Sequence, residues 1–135
     1  MFNNAISEPL VTIAIPTYNR HSKLLKALES CRKQTYPNLE ILICDNSTDS
    51  KTKDLVKQFK KKYPFFSTNI TYKKNLTNLG MGKNWKQCIE IAQGDYILIL
   101  SDDDLLNENA IKNLIFPFKN KKGISLSIGC AQITN

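Results

Sequence analysis

The sequence predicts an α/β protein, a mostly parallel sheet with helices on both faces. Three observations predict it. Short apolar, β-branched runs alternate with segments of helical periodicity along the chain. The runs are apolar at successive positions, as strands covered on both sides must be. Polar residues concentrate just after the runs, on what a parallel sheet makes a single edge, where such sheets bind ligands. Right-handed crossovers are expected to join the strands.

Residues 10–15, LVTIAI, read as a buried strand closed by Pro16. Residues 21–34 place Leu24, Leu28 and Cys31 at helical spacing. A Tyr-Pro-Asn turn leads to a second buried strand, LEILIC (39–44), which ends at Asp45. Residues 46–50, NSTDS, offer several helix N-caps. Leu55, Val56, Phe59 and Tyr63 then define an amphipathic helix that stops before Pro64. NITYKK (69–74) is a weaker strand with period-two character. A polar, Gly-bearing loop, NLTNLGMG (75–82), precedes a helix carrying Trp85, Cys88, Ile89 and Ala92 at i, i+3, i+4 and i+7. Gly94 ends that helix. YILILS (96–101) is the fourth strand. Ala110, Ile111, Leu114 and Ile115 mark one more helix, ending before Pro117. The last stretch, GISLSIGCAQITN (123–135), is expected to form a fifth strand.

The 135 residues, 41% of them apolar, fit one soluble domain spanning 1–135. No apolar run approaches the ~20 residues of a membrane span, and no leader pattern precedes the first strand. The formal net charge of +7 is carried by lysine clusters at 57–62, 73–74 and 119–122. It suits either a solvated surface or attraction to anions such as nucleotide phosphates and lipid head groups. Nucleic acid is not expected as a partner, because no nucleic-acid module or interleaved aromatic pattern occurs. The cysteines at 31, 44, 88 and 130 have no metal-ligand spacing. Three fall in apolar periodic segments, as free cysteines of a reducing cytoplasm do. His21, the only histidine, sits at a helix start and reads as structural.

The strand ends carry the chemistry. Asp102, Asp103 and Asp104 follow the fourth strand, and three adjacent carboxylates repel one another. They persist around a hard cation such as Mg²⁺ or Mn²⁺, in solvent, or at a helix N-terminus. Mg²⁺ takes one or two protein carboxylates and fills its shell with water and phosphate, so a metal site there implies a phosphorylated ligand. Asp45 is placed either to accept hydrogen bonds from a nucleoside or to cap the following helix. The turn 16–20 has no Gly-x-Gly-x-x-Gly, no P-loop is present, and the first strand ends without the acids of a phosphoacceptor.

Four segments, VTIAIPTYNR, QTYPNLEILICDNSTD, NLGMGKN and AQGDYILILSDDDLL, occur in this order. Together they closely resemble the N-terminal half of family 2 glycosyltransferases, over residues 9 to 115. The resemblance implies the GT-A fold, whose Rossmann-like sheet binds a nucleotide. It implies inverting transfer of a sugar from a nucleoside diphosphate sugar, a UDP-sugar being favoured, to a hydroxyl of a glycan or lipid-linked acceptor. It implies a divalent metal, Mg²⁺ or Mn²⁺, bridging the diphosphate to an Asp-x-Asp-type motif. By position, Pro16, Thr17, Tyr18 and Asn19 match the first nucleotide loop. Arg20 adds a cation near the phosphates, and Asp45 matches the nucleoside-contacting aspartate. Asn78, Gly80 and Asn84 match the loop and helix start flanking the nucleotide, with Lys83 as a phosphate contact.

The family pattern Leu-Asp-x-Asp-Asp, set on residues 100–104, puts Ser101 where the first aspartate belongs. Asp103 then falls on the principal metal ligand, Asp104 beside it, and Asp102 on the donor. The competing register uses Asp102 with Asp104. The catalytic base of inverting members lies after this motif, where only Glu108, at a helix start, is acidic. The chain thus reads as a donor-binding half without its acceptor half, an incomplete domain. The alternatives are a non-catalytic nucleotide-sugar-binding module and an inactive truncated remnant. Apolar surface left by a missing half would favour self-association. The resemblance implies a role in cell-surface polysaccharide or glycolipid assembly, cytoplasmic or peripheral at the inner face of the membrane.

Overall fold

Four parallel strands run in the order β3-β2-β1-β4 in a computed structural model that describes residues 8–129. They are β1 (Val11–Thr17), β2 (Leu39–Asp45), β3 (Ile70–Lys74) and β4 (Tyr96–Ile99). The helices are α1 (His21–Arg32), α2 (Lys51–Lys62), the single turn α3 (Pro64–Ser67), α4 (Met81–Ile91) and α5 (Ala110–Asn120). The chain lays β2 and β3 to one side of β1, then returns to place β4 on the other. Strand order therefore reverses between β1 and β4, the place where open parallel sheets bind ligands.

The two faces follow from the period of two along a strand. Ile13, Ile15, Ile41 and Ile43 point to one face, against Leu24 and Leu28 of α1, Val56 and Phe59 of α2, and Ile111 and Ile115 of α5. Ala14, Leu42 and Cys44 point to the other, against Cys88 of α4. Helices on both faces are as expected, and so are buried, free Cys31, Cys44 and Cys88. Burial pushes the Cys31 thiol up to about 12, so it acts as a small hydrophobe. Cys130 lies outside the described residues.

Several local expectations are corrected. In α4 the buried positions are Asn84 and Cys88, with Ile91 and Ala92 packed behind, while Trp85 and Ile89 are exposed. Asn84 fixes this orientation by donating from Nδ2 to the Cys44 carbonyl at 2.9 Å. Helix α5 runs through Pro117 instead of stopping before it. Proline removes one intrahelical bond, but Ile115 is buried and the Phe118 ring lies 4.7 Å from that of Tyr96, so packing holds the last turn. Strand β4 ends at Ile99, because after Leu100 N donates to the Ala14 carbonyl the chain turns, Asp104 N bonding the Ser101 carbonyl at 3.1 Å. Residues 123–129 are not strand, and the rest of the expected fifth strand lies outside the described residues. Asp45 does not cap α2, whose N-cap position is Ser50.

Candidate functional site

The register aligns the strand ends. Thr17 pairs with Asp45, and Asp45 with Lys74. The β1 end, the β4 end and the turn into α1 converge on Asp102. This side chain is buried at 4% exposure, and both its oxygens are engaged. Thr17 Oγ1 donates to Oδ2 at 2.7 Å and Arg20 Nη1 to Oδ1 at 3.2 Å. The same guanidinium nitrogen reaches Asp103 Oδ2 at 2.9 Å, and Lys23 Nζ lies 3.5 Å from that oxygen. Asp103 Oδ1 accepts from Ser101 Oγ at 2.5 Å. The Ser101 hydroxyl, then Arg20 and Lys23, hold the Asp103 carboxyl below its usual range against the opposing pull of burial. Asp104 is exposed, so Asp102 and Asp104 do not share an environment. Ser101, the departure from the family pattern, supplies a donor where an aspartate would add a fourth carboxylate.

Asp45 is fully buried. Its Oδ1 accepts from Ser47 N at 2.7 Å, and its Oδ2 from the Tyr72 hydroxyl at 2.7 Å and Lys74 Nζ at 3.3 Å. Burial and the bond to Asp45 push the Tyr72 phenol above its ordinary range, so it donates as a neutral hydroxyl. Lys74 Nζ also bonds the carbonyls of Ser47 and, at 2.8 Å, Asp49. The loop after β2 is thus tied to β3. Ser47 Oγ in turn receives Asn19 N at 2.9 Å, and Asn19 sits at φ 54°, a left-handed conformation that asparagine tolerates.

A chain of amides holds the glycine loop. Asn75 Nδ2 donates to Asn46 Oδ1 at 2.7 Å and to Asn84 Oδ1 at 2.9 Å. Asn46 Nδ2 reaches the Gly80 carbonyl at 3.2 Å, and Gly80 N donates to Asn78 Oδ1 at 2.9 Å. Gly80 has φ 79° and ψ 164°, a region essentially restricted to glycine. Tyr18 is half exposed and Lys83 exposed. Pro16 lies in β1, paired with Cys44.

The structure therefore gathers Thr17, Arg20, Asp102 and Asp103 at the strand-order reversal. It seats Asp45, Asn78, Gly80 and Asn84 one strand away, in a network that also needs Asn46, Ser47, Tyr72, Lys74 and Asn75. The sequence reading missed those five, as it missed Lys23. Period two in ITYKK was the one available signal, since it puts Tyr72 and Lys74 on one side of β3 with Ile70. Among the described residues no three His, Cys, Asp or Glu side chains form a ready-made metal cluster. A groove of about 930 Å³ between α1, α2 and residues 105–108 includes Glu108 but none of the strand-end residues.

The family model described as Glycosyl transferase family 2 matches residues 12–130. The chain is 35% identical to the abequosyltransferase RfbV of Salmonella typhimurium over 104 residues, 76% of this chain and 30% of that protein. It is 29% identical to chondroitin synthase of Escherichia coli over 94% of this chain and 17% of the enzyme. The mannosyltransferase PcManGT of Pyrobaculum calidifontis, solved with GDP-Man and Mn²⁺, superposes with a TM-score of 0.75 at 22% identity, over 87% of this chain and 34% of that one. S. aureus TarS 1–349 in complex with UDP superposes with a TM-score of 0.70 at 25% identity, over 82% of this chain and 32% of that one. The GT-A architecture expected from the sequence is thus present, and the chain spans about a third of these solved chains.

Proposed function

The chain belongs to glycosyl transferase family 2, and we propose that it is the donor-binding half of an enzyme that moves a sugar from a nucleoside diphosphate sugar to an acceptor hydroxyl with inversion. The observation that carries this reading is the convergence of Thr17, Arg20, Asp102 and Asp103 where strand order reverses. The acceptor is a glycan or lipid-linked sugar, and the reading assigns the deprotonating base to no residue of this chain. Relatives solved with GDP-Man and with UDP support a nucleotide-sugar donor.

The residues present fit a divalent cation. Asp104 offers exposed carboxylate oxygens, and Asp103, whose oxygens accept from Ser101 and Arg20, keeps a second lone pair on each; this is the donor type a hard ion takes, and one or two such ligands suffice for Mg²⁺ or Mn²⁺. When bound there, the ion supplies Lewis-acid stabilisation of the leaving diphosphate. The chain's own residues prepare the place. Thr17 locks Asp102, Asp102 orients Arg20, and the guanidinium keeps cationic charge beside Asp103 for an arriving phosphate. Lys83, exposed in the first turn of α4, is the cation of this segment free to meet a phosphate at the helix N-terminus. Tyr18 and Asn19 are the residues of the first loop available to contact the nucleotide, whereas Asp45, fully buried and bonded to Ser47, Tyr72 and Lys74, acts by anchoring the loop after β2 rather than by the direct nucleoside contact expected from the sequence.

Calorimetric titration with UDP-, GDP- and dTDP-sugars tests the reading. One donor class is expected to bind with Mn²⁺ and far more weakly without it. Failure of every donor to bind in the presence of Mn²⁺ would sink the proposal.

A further inference from the structure

The outer side of α2 carries charge that the strand-end site does not use. Lys51, Lys53, Lys57, Lys60, Lys61 and Lys62 face a single acid of the helix, Asp54, which accepts from Ser50 at 3.0 Å. Three of the lysines are occupied. Lys51 lies 3.7 Å from Asp49, Lys62 lies 3.6 Å from Glu29, and Lys60 donates to the Ile70 carbonyl at 3.0 Å. Lys53, Lys57 and Lys61 are exposed, and they stand at i, i+4 and i+8 on one side of the helix. Among the described residues none of these three is in an ion pair. The helix dipole favours Lys61 in the last turn, but like charges so spaced destabilise a helix slightly, and Lys53, in the first turn, is on the unfavourable end.

The helix then delivers an aromatic ring to water. Phe65, in the turn α3, is 96% exposed. Its neighbours explain why it stays out. Tyr63 packs edge-on against Phe59 at 4.9 Å and Phe66 does so at 6.4 Å. These two rings pin α3 to the core, and Pro64 and Phe65 between them are held in solvent. Pro64 fixes the backbone at the start of the turn. The backbone that carries Phe65 is thus held against the core while its ring stays in solvent.

We propose that the Lys53, Lys57 and Lys61 stripe, with Phe65 at its end, seats the chain on an anionic lipid surface. Lysine stems lie along such a surface with their ammonium groups among the head-group phosphates. A fully exposed aromatic ring next to them gains by entering the interface. Nucleic acid, the other common polyanion, favours arginine forks and several stacking rings, whereas this patch has lysines and one free ring. Among the described residues no helix is long and apolar enough to cross a membrane, and the contact proposed is one of surface residues with the head groups. Helix α3 leads into the N-terminal end of β3, so Phe65 lies at the end of the sheet opposite the strand ends that carry Thr17 and Asp102. The inference stands independently of the glycosyl-transfer reading.

Sedimentation of the 135-residue chain with vesicles of phosphatidylcholine, with and without phosphatidylglycerol, tests the proposal. Binding is expected only to the anionic vesicles, and to weaken with added salt. At about fivefold per lysine near an anionic surface, the triple variant Lys53→Gln, Lys57→Gln, Lys61→Gln lowers partitioning about a hundredfold. The matching triple arginine variant retains it. Phe65→Ser lowers it about tenfold. These side chains are solvated, so circular dichroism stays that of the parent. Three results overturn the proposal. They are equal partitioning of the glutamine variant, equal binding to neutral vesicles, and tighter binding of a single-stranded oligonucleotide than of anionic vesicles through the same lysines.

Discussion

Thr17→Val probes how the site is built into the sheet. Thr17 and Asp102 are 3% and 4% exposed, and their bond is 2.7 Å long. A hydrogen bond to a charged group contributes about 1.5–3 kcal/mol, and leaving a buried charge short of a partner costs at least as much. The other contact of Asp102, to a half-exposed Arg20, is screened and adds about 0–1 kcal/mol. The Thr17 hydroxyl is therefore the main restraint on Asp102. Valine keeps the shape and removes the donor, so stability falls by about 2 kcal/mol out of a total of roughly 5–15. Urea unfolding of Thr17→Val, Asp102→Ala and the double variant measures the coupling between the two sites. A coupling of about 1.5–3 kcal/mol is expected. A value under about 0.5 kcal/mol, ordinary for independent sites, would refute the claim that β1 and β4 are locked at the site through this pair.

Two glycine substitutions separate two kinds of strain. In Gly94→Ala the new Cβ meets Thr12 N and Oγ1 at 2.7 Å and the Tyr96 carbonyl at 2.8 Å, so overpacking costs about 1–3 kcal/mol, read by urea unfolding. In Gly80→Ala the Cβ meets nothing within 4 Å; the cost, again about 1–3 kcal/mol, comes from the backbone at φ +79°. Loosening of the glycine loop should appear as faster amide exchange at residues 78–82. Ser101→Ala raises the Asp103 carboxyl toward its ordinary value, read by carbon-13 titration of that side chain. In the parent the folded value is depressed, so Asp103's contribution to stability is present above the unfolded value and lost as pH falls through the folded one. The variant shrinks that contribution, and its acid limb begins at higher pH.

The sheet was legible because parallel strands buried on both faces spell themselves out, as LVTIAI and LEILIC do. The ends of elements were less so. Pro117 has a strong local meaning, helix termination, and packing of Ile115 and Phe118 overrides it. Trp85 and Ile89 fit a helical stripe as well as Asn84 and Cys88 do. What selects the face is the pair of amide bonds that Asn84 makes, to the Cys44 carbonyl and from Asn75, together with the packing of Cys88, and no periodicity encodes those bonds. The polar strand ends were readable as a group. Their division of labour was not, since exposure decides it, and Asp102, Asp103 and Asp104 look alike on paper. The buried amide chain of Asn46, Asn75 and Asn84 was invisible for a related reason: a loop asparagine and a buried one have the same letter.

The central claim is that this strand-end cluster holds a metal-bound nucleotide sugar, with Asp103 as the principal ligand. Calorimetry of the donor with Mn²⁺ on Asp103→Ala and Asp102→Ala, each verified as folded by circular dichroism, tests it most directly. Asp103→Ala is expected to abolish the metal-dependent part of donor binding, while Asp102→Ala retains a weakened but still metal-dependent signal. Undiminished Mn²⁺-dependent binding by Asp103→Ala, with loss in Asp102→Ala, would contradict it.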